Sequence, residues 1–190
     1  MAATGPTSVA RTWGSTPAER SQPLPCDRFL AEPRDTYHRA VDVGAPAPVV
    51  FRWLCQLRAA PYSYDWIDNL GVRSPRTLTP GLDRLAVGQT VMTIFGLVEF
   101  ERDRHLTLLM RRMHWAFGEV ACTYLVTAAG DRASRLLVRL HVRHPGHRVS
   151  RLFWGRAMPW LDLVMMRKQL LNLAALSERM PARPPRDNVT

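Results

Sequence analysis

Between Tyr62 and Arg73 the chain sets two phenols (Tyr62, Tyr64), an indole (Trp66), two carboxylates (Asp65, Asp68), an amide (Asn69) and a guanidinium (Arg73). Such a loop could rim a cavity and orient a polar ligand group. It could also supply a general acid or base, with Tyr64, Asp65 and Asn69 as the catalytic candidates. The plainer reading is an ordered loop held by Asp and Asn turn hydrogen bonds and Asp–Arg pairs. His114 with Glu119, and Glu99 with His105, flank turns and form two further acid–base pairs, although facing pairs across hairpins are usually surface contacts. His114 is thus a weaker catalytic candidate. His141, His144 and His147 are spaced by three, whereas ligands on one face of a strand need even spacing. Arg135, Arg139, Arg143 and Arg148 nearby would also repel a dication, so no metal and no cofactor are expected. The three cysteines, Cys26, Cys55 and Cys122, are odd in number and far apart, which excludes a disulfide framework. No G-x-S-x-G elbow, G-x-G-x-x-G turn, phosphate loop or H-E-x-x-H pair occurs.

A chain of 190 residues with 46% hydrophobic residues can build one well-buried core. The net charge of +10 is uneven: residues 101–190 hold sixteen basic and seven acidic groups. Its arginines are scattered rather than striped with aromatics, which argues against nucleic acid as a partner. The longest uncharged stretch, Leu85–Val98, has 14 residues, too short and too polar to span a bilayer. The opening Met-Ala-Ala-Thr-Gly-Pro lacks the order of a secretion signal, so a cytoplasmic protein is expected.

The elements that must carry these groups follow from periodicity. Residues 1–35 hold five prolines and no sustained apolar period, predicting a mostly disordered leader that drapes near Phe29 and Leu30. Tyr37–Val43 alternates as a strand, with Tyr37, Arg39, Val41 and Val43 on one face. Val49–Leu57 has helical spacing behind the break Gly44–Pro48. Strands are predicted over Val91–Phe100, His105–Met110, Met113–Phe117, Val120–Thr127 and Arg135–Arg143. In the last, Leu136, Val138, Leu140 and Val142 oppose Arg135, Arg139, His141 and Arg143, with Leu137 the exception. One apolar face implies a sheet covered on one side. Leu152–Met180 reads as a long covering helix, with Phe153, Ala157, Trp160, Leu161, Val164, Leu171, Ala174 and Ala175 inward and a kink or a break near Pro159. Residues 181–190 form a Pro-rich disordered tail.

This is an α+β layer architecture: a curved antiparallel sheet wrapped around a long C-terminal helix, with one or two short helices after the first strand. The opening Ala40–Leu54, the junction Ala86–Thr90 and the segment Val98–Leu106 resemble the START-like helix-grip (SRPBCC) superfamily, over residues 36–180. The segment Tyr62–Arg76 resembles a signature of actinobacterial members. The resemblance implies a hydrophobic small molecule held between sheet and helix. The candidates for lining that cavity and its mouth are Tyr62, Tyr64, Trp66, Arg73, Met92, Ile94, Trp115, Val138, Leu140, Trp160 and Val164. Polyketide cyclase/dehydratase-like activity on a secondary metabolite is the second possibility; no shared catalytic motif carries it over. A basic module docking an acidic partner or an anionic surface is the third.

Overall fold

The computed structural model describes residues 8–33, 35–68, 71–144 and 155–180. Six strands form one antiparallel sheet in the order β1-β6-β5-β4-β3-β2. They are β1 (Asp35–Val43), β2 (Thr90–Val91), β3 (Phe95–Glu101), β4 (His105–Met110), β5 (Glu119–Ala128) and β6 (Ser134–Arg143). Three short helices precede β1: α1 (Val9–Thr12), α2 (Pro17–Ser21) and α3 (Cys26–Phe29). Helix α4 (Ala47–Cys55) follows β1, continued by a 3-10 turn over Gln56–Arg58, and then α5 (Asp65–Asp68). A single turn, α6 (His114–Phe117), joins β4 to β5, and α7 (Met158–Glu178) closes the fold. This is the helix-grip arrangement expected. Among the described residues no helix is long and apolar enough to cross a membrane.

The core lies between the inner face of the sheet and the pair α4 and α7. Leu97, Leu108, Tyr124, Leu136 and Val138 from the strands meet Val50, Trp53 and Leu54 of α4 and Leu170 and Leu173 of α7, all at most 1% exposed. Proline suits the first turn of both covering helices, since its missing N–H would be unpaired there anyway. Pro159 therefore opens α7 instead of kinking it. The part of the expected helix before Gly155, with Phe153, lies outside the described residues, as do residues 181–190 and His147.

Four expectations are corrected. Residues 8–33, expected to be mostly disordered, form three short helices: α1 packs against β1 and α7, and the later part of the segment covers the outer face of the sheet, where Leu24, Cys26 and Leu30 bury against Ala40, Ala121 and Leu137. The sheet is therefore covered on both sides, which is why Leu137 departs from the alternation. Met113–Phe117 is a helical turn and not a strand, because Met113 at φ 63° and Gly118 at φ 75° reverse the chain on either side of it. The expected strand Val91–Phe100 is broken: Met92 and Thr93 take positive φ, and β3 carries a bulge between Leu97 and Glu99. The inward face of α7 differs too, as described below.

Candidate polar site under the grip helix

The inner face of β1 begins Tyr37, Arg39, and one strand across, Leu140 and Val138 pair with them. Next come Cys122 and Tyr124 of β5, paired with the same two β6 residues. Into this apolar surface α7 lowers two polar side chains, Asp162 and Gln169. Arg39, fully buried, sends one Nη2–H to Asp162 Oδ2 at 2.7 Å and another to the Ala10 carbonyl at 2.8 Å, while Nη1 donates to the His38 carbonyl. Tyr37 lies beneath the same guanidinium, its ring centre 5.5 Å from the Arg39 carbon. About two turns further along α7, the Tyr124 hydroxyl donates to Gln169 Oε1 at 2.7 Å, and Gln169 Nε2 donates to the Pro61 carbonyl at 2.6 Å.

Burial sets the electrostatics. It raises the Asp162 carboxyl to about 6 against the opposing pull of Arg39 and lowers Arg39, as expected of a desolvated ion pair. It also raises the phenols of Tyr37 and Tyr124 and takes Tyr62 to about 12, so all three are neutral hydroxyl donors. Four polar atoms of this layer are buried with no hydrogen-bond partner: Tyr37 Oη, Tyr62 Oη, Trp53 Nε1 and Arg39 Nε. Trp53 and Tyr62 stand edge to face, ring centres 6.1 Å apart.

Of the residues singled out in the sequence, the structure gathers Tyr62, Met92, Ile94, Val138 and Leu140 around this core. The rest stand elsewhere. Trp160 and Val164 are 56% and 50% exposed, because the Arg39–Asp162 pair fixes the phase of α7 so that Leu163, Met166, Gln169, Leu170 and Leu173 face the sheet. Trp115 rides the outside of α6 at 81% exposure, and Trp66 and Arg73 also face solvent. Tyr64 is half-buried, while Asp65 accepts hydrogen bonds from the Ser74 amide and hydroxyl, holding the loop as the plainer reading foresaw. His114 is exposed on α6, and Asn69 lies outside the described residues. Among the described candidates, His114 on α6 shares no hydrogen bond or ion pair with Tyr64 or Asp65. The polar site is instead Tyr37, Arg39, Tyr124, Asp162 and Gln169. Its signal was present in the chain: Arg39 is a charge on the apolar phase of its strand, and Asp162 is the only acid between Met158 and Ser177.

Two pockets of about 340 and 300 Å3 open beside α4, one among Phe51, Asp83, Phe100 and Arg102, the other among Arg52, Gln56, Leu78 and Pro80. Neither is lined by α7. On the outer face Cys26, Asp27 and His141 bring one ligand atom each within 4.8 Å of one another. Asp27 is already engaged there, by both oxygens with Arg139 Nη1 and by Oδ1 with His141 Nε2 at 2.7 Å. Burial raises the Cys26 thiol to about 11, and the trio ties the leader to β6 through Asp27.

No family model and no curated protein matches the chain. Solved structures do. A protein of Helicobacter pylori shares 16% identity over 82% of this chain and 95% of its own, with a TM-score of 0.52. One from Chromobacterium violaceum shares 13% over 76% and 98%, at 0.50. Norcoclaurine synthase from Thalictrum flavum is similar at 12% identity over 77% and 87%, with a TM-score of 0.49. At such identities the likeness is one of fold alone, the helix-grip fold described above.

Proposed function

We propose that this protein binds a hydrophobic or aromatic small molecule bearing a polar group, held between the sheet and α7. The observation that carries this reading is the set of buried polar atoms without partners: Tyr37 Oη, Tyr62 Oη, Trp53 Nε1 and Arg39 Nε. An unpaired buried donor costs roughly 1–3 kcal/mol, and interiors rarely hold several together. A ligand that accepts from these donors recovers that cost, while its apolar body replaces side-chain packing. Met92 and Met166 fill the space now, and their unbranched chains re-pack more readily than Leu or Ile. The resemblance to the START-like superfamily supports the same place of binding. Native mass spectrometry of the protein taken from its own host, followed by denaturing release, tests this directly. A stoichiometric apolar or polyaromatic compound is expected. A protein that carries nothing and shows no saturable rise in melting temperature with aromatic ligands overturns the reading.

A second reading, a cyclase or dehydratase acting on a polyketide-like metabolite, draws on one observation. Asp162, raised to about 6, can exchange a proton near neutral pH next to the neutral Tyr37 hydroxyl. Turnover of the released compound that Asp162→Asn abolishes, with binding retained, would establish it.

A further inference from the structure

A helix packed against a core normally shows charged and polar residues to solvent; α7 shows large apolar side chains among its exposed charges. Trp160, Leu161, Val164 and Leu171 are 56%, 52%, 50% and 36% exposed, and on the helical wheel they fall within one quarter turn or little more. They form an apolar ridge about 16 Å long, at 1.5 Å rise per residue. Among the described residues 155–180, every exposed side-chain charge that is not already tied is positive: Arg156, Lys168 and Arg179, with Arg167 resting over the Trp13 ring. The two acids of the segment are engaged elsewhere, Asp162 with Arg39 under the helix and Glu178 with the Gly44 amide. Trp, Leu and Val on one face with Arg and Lys among and beside them is a composition suited to a helix that lies in the plane of an anionic membrane, its apolar side chains set into the headgroup boundary.

We propose that the outer face of α7 docks this protein on anionic lipid bilayers. The occupant is a lipid surface and not an acidic protein, because the cations are interspersed singly with the apolar side chains instead of forming a contiguous charged patch, and long basic side chains can lay their stems along apolar surface while their heads reach the lipid headgroups. The ridge is also convex, with nothing for a partner's side chains to enter. The inference stands apart from the interior ligand, since none of these side chains faces the core.

Co-sedimentation with vesicles of phosphatidylcholine alone, and of phosphatidylcholine with phosphatidylglycerol at three to one, tests it on the full chain. Binding to the anionic vesicles is expected to exceed that to the neutral ones by at least about tenfold and to weaken with added salt. Val164→Glu and Trp160→Glu, both at exposed positions, should abolish it while leaving the melting temperature within a few degrees of the parent. Lys168→Glu should weaken binding without abolishing it. No binding to the anionic vesicles overturns the proposal, as does binding that Val164→Glu leaves intact. A concentration-dependent dimer by light scattering that Val164→Glu disperses, without vesicle binding, would assign the ridge to a second copy instead.

Discussion

Two hydroxyls make the functional reading measurable at the scale of single atoms. Tyr37 and Tyr62 are 1% and 2% exposed, and each carries an Oη with no partner. Removing a hydroxyl that is unpaired in the free protein removes its desolvation penalty, whereas removing one that is paired loses a bond. Tyr37→Phe and Tyr62→Phe should therefore each stabilise the ligand-free protein, by about 1 kcal/mol or about 2–4 °C in melting temperature for a chain of this size. The same changes should weaken the binding of any ligand that accepts from these donors. Thermal denaturation beside a ligand titration checks both halves. A fall in melting temperature without ligand would mean that the hydroxyls are satisfied in the free protein and that the site needs another explanation. Gly118 offers a second test of local geometry. At φ 75°, a Cβ there would come within 2.1 Å of the Arg143 carbonyl oxygen, a backbone atom that cannot move aside. Gly118→Ala should cost more than about 2 kcal/mol, read as a lowered melting temperature.

Among the elements, the leader behaves as a strap over the outer face of the sheet. Trp13 accepts the Ala40 amide on the free edge of β1, and Gly14 sits so close that only glycine fits against the Ala40 carbonyl. Asp27 gathers Arg139, His141 and the Leu24 amide, while Arg139 Nη2 donates to the carbonyls of Glu19, Arg20 and Gln22. Asp27→Ala leaves Arg139 buried without its counter-charge. It should cost about 2 kcal/mol, below the full value for a buried pair because Asp27 is partly exposed. Burial raises the carboxyls of Asp27, Asp35 and Glu19, but their hydrogen-bonding and cationic partners outweigh it and hold all three below their ordinary range. A lowered folded value gives stability that is complete above the unfolded carboxyl pKa and is lost as pH falls through the folded one. The strap should thus loosen first in acid, visible as amide exchange rising in residues 8–33 before it rises in β4–β6. The strap also shows what a sequence can and cannot convey. β1, β4, β5 and β6 were readable because alternation over seven or more residues, or six in β4, leaves one register. The leader was not, because its helices are four or five residues long and bury only a few side chains each. Its order comes from Arg139, which looked like a solvent-facing strand residue. The phase of α7 was misread for a related reason: large apolar residues occur on more than one side of the helix, so periodicity alone could not choose which side met the sheet, and the Asp162–Arg39 pairing chose it.

At the scale of the whole molecule, the pH profile is a contest between groups whose signs differ. Asp162 ties α7 to β1, and burial raises it to about 6 from an ordinary 3.8. A raised folded value gives stability that is complete below the unfolded pKa and is lost as pH rises through the folded one. Asp162 therefore favours the closed grip increasingly as pH falls from 7 towards 4, by up to about 3 kcal/mol if the full shift is realised. On the opposite face His38, lowered to about 4 by burial and then by Arg139, acts in the other direction. It is neutral when folded, and its contribution is complete above 6.5 and lost as pH falls towards 4. The two oppose each other across the same interval, so the parent protein should show a shallow dependence there. Single variants separate them. With Asp162→Asn, the deficit relative to the parent should widen on acidification from pH 7 to 4.5, because only the parent gains from protonating the carboxyl. With His38→Leu, the acid-side loss should shrink over the same range. Denaturant melts at three pH values measure both. A deficit for Asp162→Asn that narrows on acidification would mean that the carboxylate is held charged by Arg39. The ion pair would then be a fixed clasp, and opening of the grip for a ligand would have to begin at Gln169 and the two methionines.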